Sequence, residues 1–118
     1  MSKNHGWIGV DLDGTLAHYD GWKGAQHIGE PVPAMVERVR YWIAGGQEVR
    51  IFTARLGGWV EGSMDWANMY RVIEAWCLKH LGRTLPVTAT KDMAMLELWD
   101  DRAVCVERNT GRILGKNP

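Results

Sequence analysis

Asp11, Asp13, Thr53, Lys91, Asp100 and Asp101 are the residues of this chain whose types and positions suggest joint chemistry. Each comes just after a short apolar run. Trp7-Ile8-Gly9-Val10 precedes Asp11, and Val49, Ile51 and Phe52 precede Thr53. Pro86 to Ala89 precede Lys91, and Leu96-Glu97-Leu98-Trp99 precede the aspartate pair. Short apolar runs bounded by turn residues read as buried strands. In an open parallel sheet, ligands bind outside the carboxyl ends of the strands, so these residues should share one rim. A single aspartate after a strand is an ordinary turn residue; the joint arrangement carries the reading. Two carboxylates about 4 Å apart repel by roughly 4 kcal/mol at an effective dielectric near 20. Several on one rim therefore require a cation among them, unless some point away or hold a proton. Oxygen ligands without His or Cys suit a hard divalent ion, and a few carboxylates with retained waters is how Mg²⁺ is usually held. His5, His18, His27 and His80 lie in other segments and read as surface or packing residues.

The elements that must position this set follow from the punctuation. The first strand covers Trp7 to Val10. A polar, Gly-rich loop runs from about Gly14 to Val32, and Pro33 sits where a helix can begin. Val36, Val39 and Ile43 recur at helical spacing until Gly45-Gly46 ends the helix. Glu48 to Thr53 is a second strand. After the loop from Arg55 to Gly62, Ser63 is a candidate cap for a longer helix ending at Leu81, before Gly82. Trp66, Met69, Ile73, Trp76 and Leu81 approximate its apolar stripe. Pro86 to Ala89, Leu96 to Trp99 and Ala103 to Val106 are expected strands. Asn109-Thr110-Gly111 is a turn into a last one near Ile113-Leu114. Such alternation predicts an α/β fold, a Rossmann-like three-layer sandwich with a mostly parallel sheet.

Composition bounds the rest. The 118 residues amount to one ordinary domain, so residues 1–118 are expected to form a single unit. Fourteen basic and fourteen acidic residues give zero formal charge, which leaves nucleic-acid binding open but gives it no electrostatic support. Cys77 and Cys105 form neither a disulfide framework nor a metal pattern. Buried free thiols in a reducing compartment are expected. The apolar run before Asp11 is too short for a signal peptide or a membrane span, which predicts a cytoplasmic protein with no membrane partner.

The rim residues also resemble a known family. Asp11-Leu12-Asp13-Gly14-Thr15-Leu16 resembles the first motif of the haloacid dehalogenase (HAD) superfamily, and Ile51-Phe52-Thr53-Ala54-Arg55 its second. Lys91 is similar to the third-motif lysine; Lys79 and Lys116 are less suitably placed. Trp99-Asp100-Asp101-Arg102 resembles the fourth, acidic motif. The resemblance implies a HAD-like core and a phosphatase acting through an aspartyl-phosphate. Asp11 would be the nucleophile. Asp11, Asp100, Asp101 and the backbone carbonyl of Asp13 would serve the Mg²⁺, with Asp101 acting through water or by orienting its neighbours. The Asp13 side chain would be acid and then base. Thr53 would hold the phosphate, Lys91 would balance its charge, and Gly14 would let the backbone approach it.

An Asp two positions after the nucleophile resembles the phosphatase and phosphomutase branch. Larger relatives insert a cap after the first or second motif; here both intervals are too short, so the chain looks like a cap-less member. Cap-less relatives tend to act on macromolecular phosphoesters or to borrow a lid from a neighbouring subunit, which leaves a homo-oligomer open. Trp22 and Trp59 lie in the loops after the first two motifs, where they either pack locally or meet substrate or a partner. Arg55 either contacts substrate or forms a salt bridge, and Arg102 is expected to partner a carboxylate. Trp42, Trp66 and Trp76 should pack in the core, and Trp7 and Trp99 in or beside the sheet. The expected activity is Mg²⁺-dependent hydrolysis of a phosphomonoester. Its rivals are a non-catalytic protein binding metal, a phospholigand or a partner, and a phosphatase of polynucleotide ends.

Overall fold

The computed structural model describes residues 5–116. Strand β1 (Trp7–Asp11) lies between β2 (Glu48–Phe52) and β4 (Met95–Trp99), with β3 (Val87–Thr88) beyond β2. Every pairing in this four-stranded sheet is parallel. Helix α1 (Pro33–Ala44) joins β1 to β2, and α2 (Met64–Leu81) joins β2 to β3. The result is a Rossmann-like α/β fold with no cap.

The helices begin and end where their chemistry dictates. Pro33 occupies the first turn of α1, where its missing N–H costs nothing. Ser63 accepts a hydrogen bond from the Trp66 N–H at 3.3 Å, capping α2. Gly82, with φ of 78°, ends α2 in the left-handed conformation that glycine adopts freely. On β1 and β2, Ile8, Val10, Val49 and Ile51 join one buried cluster with Met35, Val36 and Val39 of α1 and Met69, Ile73, Trp76 and Cys77 of α2. Alternation along β1 turns Trp7 and Gly9 to the opposite face. There Trp7 is fully buried under the Arg50 guanidinium, 4.5 Å from its ring, and donates to Asp92 Oδ1 at 2.9 Å. The irregular segment from the end of β3 to the start of β4, residues 89–94, crosses that face, where Asp92 meets Trp7 and Arg50. Of the other tryptophans, Trp76 is buried, while Trp42, Trp66 and Trp99 are half-buried against the cluster.

The loop after β1 is narrower at its base than its length suggests. Ala17 bridges Pro31, the Val32 N–H donates to the Leu16 carbonyl at 2.8 Å, and the His18 N–H donates to the Glu30 carbonyl at 2.7 Å. These bonds close a neck, and residues 18–30 project from it. Trp76 Nε1 donates to the Gly29 carbonyl at 2.9 Å and ties this neck to α2.

The expected strand at Ala103 to Val106 exists as β5 (Val104–Val106), but it does not extend the main sheet. It pairs antiparallel with β6 (Ile113–Lys116) in a separate hairpin. The turn uses the left-handed Asn109 (φ 69°) and Gly111 (φ 80°). All residues of both strands are exposed. A parallel fifth strand would need a crossover back beneath β4, and Asp100 to Ala103 are too few to provide one. Among the described residues, no helix is long and apolar enough to cross a membrane.

A Cβ on Gly29 would strike the His18 carbonyl, backbone against backbone. Gly29→Ala is therefore expected to destabilise the protein by about 1–3 kcal/mol. Urea unfolding followed by tryptophan fluorescence would read this as a lower midpoint with an unchanged slope. A midpoint equal to the parent's would show that the neck spreads freely.

Candidate active site

The carboxyl ends of β1, β2 and β4 meet at a cleft of about 790 Å³. Asp11, Asp13, Thr53, Arg55, Asp100 and Asp101 line it, and so do Trp22 and Trp59. Register brings the acidic residues together: Val10 pairs with Trp99, so Asp11 and Asp100 leave adjacent strands side by side. Asp11, Asp100 and Asp101 are each half-buried, and each offers a carboxylate oxygen within 4.8 Å of the others.

Asp11 shows the electrostatic cost. Burial, then a hydrogen bond shared with the Asp101 carboxyl, then the charges of Asp100 and Asp101 push it up to about 7, while the Thr15 hydroxyl pulls the other way. Thr15 Oγ1 lies 3.2 Å from both Asp11 Oδ2 and Asp101 Oδ1, and it accepts from the Asp101 N–H at 3.0 Å. Its single proton serves one carboxylate at a time. Sequence reasoning assigned Thr15 no work, although its place four residues after Asp11 was the available signal. The Arg102 N–H donates to Asp100 Oδ1 at 2.7 Å, so Arg102 meets that carboxylate through its backbone. A donor set of three carboxylates, one of them raised by burial and then by its acidic neighbours, fits a hard divalent cation such as Mg²⁺.

Asp13 is held differently. Arg55 grips it with Nε to Oδ2 at 2.7 Å and Nη2 to Oδ1 at 2.9 Å. Only 5% of the Arg55 side chain is exposed. The same guanidinium donates to the His27 carbonyl at 2.9 Å and stacks 4.8 Å from the Trp22 ring centre. Of the two roles expected for Arg55, the structure shows the ion pair, and it is a buried fork rather than a surface contact. Thr53 is buried and accepts from the Arg55 N–H at 3.1 Å, which leaves its own hydroxyl proton to donate.

Two expected residues sit elsewhere. Lys91 is exposed and does not line the cleft. Ala89 still lines it, but by Asp92 the chain has reached Trp7 at the opposite end of β1, and Lys91 lies on that descent. Gly14 (φ 92°) also lies outside the lining and faces Asp101: a Cβ there would come within 2.5 Å of its Oδ2. The absent side chain makes room for a carboxylate. The histidines stay apart from the cleft, with the His80 ring tilted against Trp76 at 4.8 Å.

The raised Asp11 has a consequence for the metal-free protein. Below about pH 4 Asp11 is protonated whether folded or unfolded. Between pH 4 and 7 the unfolded chain releases this proton while the folded one keeps it, so stability falls as pH rises through that window. Above pH 7 the whole cost is present. In EDTA, Asp11→Asn should remove this slope and raise the melting temperature at pH 8 by a few degrees. An unchanged profile would show that Asp11 carries no such strain. Arg55→Lys keeps the charge but loses the fork, and should lower stability by roughly 2 kcal/mol in urea unfolding. A change below half that would show the fork to be dispensable.

No family model matches the chain, and no curated protein matches it. Among solved structures it is similar to the conserved protein coded by a locus of Bacteroides thetaiotaomicron. The two are 19% identical with a TM-score of 0.54, over 95% of this chain and 84% of the other. At that identity the likeness shows the fold.

Proposed function

We propose that this chain is a cap-less, HAD-type phosphatase that hydrolyses a phosphomonoester with Mg²⁺ through an aspartyl-phosphate at Asp11. The observation that carries the reading is the convergence of Asp11, Asp100 and Asp101 at the ends of two paired parallel strands, within 4.8 Å of one another. Asp13, Thr53 and Arg102 line the same cleft. These three are a proton carrier, a hydroxyl donor and a cation. Asp11, Asp100 and Asp101 would hold the metal, which when bound supplies charge neutralisation at the phosphoryl oxygens.

In the first step an Asp11 oxygen attacks phosphorus, forming an O–P bond as the ester P–O bond breaks. The leaving alkoxide takes a proton from Asp13. In the second step water attacks the same phosphorus, Asp13 recovers a proton from it, and the Asp11–phosphorus bond breaks. Thr53 donates to a phosphoryl oxygen, and Arg102 balances charge on the rim. Lys91, on the neighbouring crossover, would need to swing toward the cleft to share that work. Both Asp13 oxygens accept from Arg55 in this structure, so Asp13 acts as the acid only after one arm of the fork lets go and the freed oxygen takes a proton from water. A cytoplasmic setting fits two free thiols: Cys77 is buried, which pushes it up to about 12, but Cys105, expected to be buried as well, is exposed because β5 lies in the hairpin outside the core.

Hydrolysis of an aryl phosphate should require Mg²⁺ and stop in excess EDTA. Asp11→Asn should reduce turnover to background. Asp13→Asn should cost about 10²–10⁴-fold, the range for lost proton transfer, and should accumulate phosphoenzyme visible by intact mass. Full activity in EDTA, or substantial turnover by Asp11→Asn, would overturn the proposal.

A further inference from the structure

The cleft has a second half that phosphate chemistry does not use. Tyr19, Trp22, Phe52, Trp59 and Met69 line it beside the carboxylates. Trp22 is 58% exposed and Trp59 is 46% exposed, an unusual state for the largest apolar side chain. Trp22 is not simply left loose on a loop. The Arg55 guanidinium stacked on it is anchored to Asp13 and to the His27 carbonyl. That backing fixes the ring beside the site while half its surface stays open. At about 790 Å³ the cleft is far larger than a phosphate group needs and lies within the 300–1,000 Å³ range of small-molecule sites.

Resting on the phosphatase reading above, we propose that the substrate is a nucleoside monophosphate: its phosphate meets the carboxylate end, and its base stacks on Trp22 and Trp59. Three features select this class. Indole faces stack on any base, and each such stack favours binding by about tenfold or more. With the Arg55 guanidinium between them, the Trp22 ring and the Asp13 carboxylate are held apart by about the reach of a pentose linking a phosphate to a base. A phenolic ester would instead place its ring against the carboxylates. Finally, four aspartates against two arginines line the cleft, so its formal charge is −2. With a neutral chain, this offers no track for the backbone of a polynucleotide.

The test compares kcat/KM for adenosine and cytidine monophosphates with that for ribose phosphate, in Mg²⁺, for the parent, Trp22→Ala, Trp59→Ala and Trp22→Phe. The parent should prefer the ring-bearing substrates by about ten- to a hundredfold. Each alanine variant should bring that ratio toward one, and Trp22→Phe should recover part of it. Equal rates on ribose phosphate and the nucleotides would overturn the substrate class and leave the phosphatase reading standing. So would a preference that survives both alanine substitutions. A second measurement separates the two ideas when nothing turns over. Tryptophan fluorescence of Asp11→Asn is titrated with adenosine monophosphate and with ribose phosphate. Quenching by the nucleotide alone would support the ring site, and the inactive parent, not this variant, would then overturn hydrolysis; quenching by neither, or equally by both, would overturn the ring site.

Discussion

The strands β1 and β4 run parallel with Val10 opposite Trp99, and that register obliges Asp11 and Asp100 to leave the sheet side by side. Asp101 follows at the next position, so like charges crowd where burial is already half complete. The surroundings temper this without removing it. Thr15 accepts the Asp101 N–H and shares its one proton between two carboxylates. Gly14 gives up a side chain so that the Asp101 oxygens fit. What remains appears in the upward push on Asp11. A fold that keeps such an arrangement gives up stability for a preformed anionic pocket.

Arg55 organises the other side of the cleft. One guanidinium joins the first loop, the second strand's end and Asp13, through bonds to His27, to Asp13 and a stack on Trp22. Charge-assisted forks of this kind fix orientation as well as proximity. The neck formed by Leu16, Ala17, Pro31 and Val32 completes the work by limiting where residues 18–30 can travel. A loop that would otherwise be a featureless excursion thus becomes a wall of the site.

Much of this was legible in the sequence because local rules and the tertiary structure agree. Pro33, Ser63 and Gly82 mark helix ends by backbone chemistry that needs no tertiary information. The rim position of Asp11, Thr53, Asp100 and Asp101 follows from parallel strands ending together. Three features were hidden because they depend on distant partners. Arg55 and Asp13 are 42 residues apart, and nothing local says that they form a fork. Lys91 was expected on the rim, but the anchoring of Asp92 beneath Trp7 leads its segment across the sheet instead. Val104 to Val106 has the composition of a core strand, yet pairing depends on the length of the connection before it, and that length permits only a hairpin.

The hairpin β5–β6 bears on how the molecule opens. Val106, Ile113 and Leu114 are each more than half exposed, and the two strands have only each other as ladder partners. An isolated two-stranded ribbon is marginal in water. Its amides will therefore exchange with solvent through local fraying, at a free energy well below that of the sheet and its two helices. The boundary between these two regimes falls just after Arg102, so the acidic pair closing the cleft lies at the last turn of the slowly opening part.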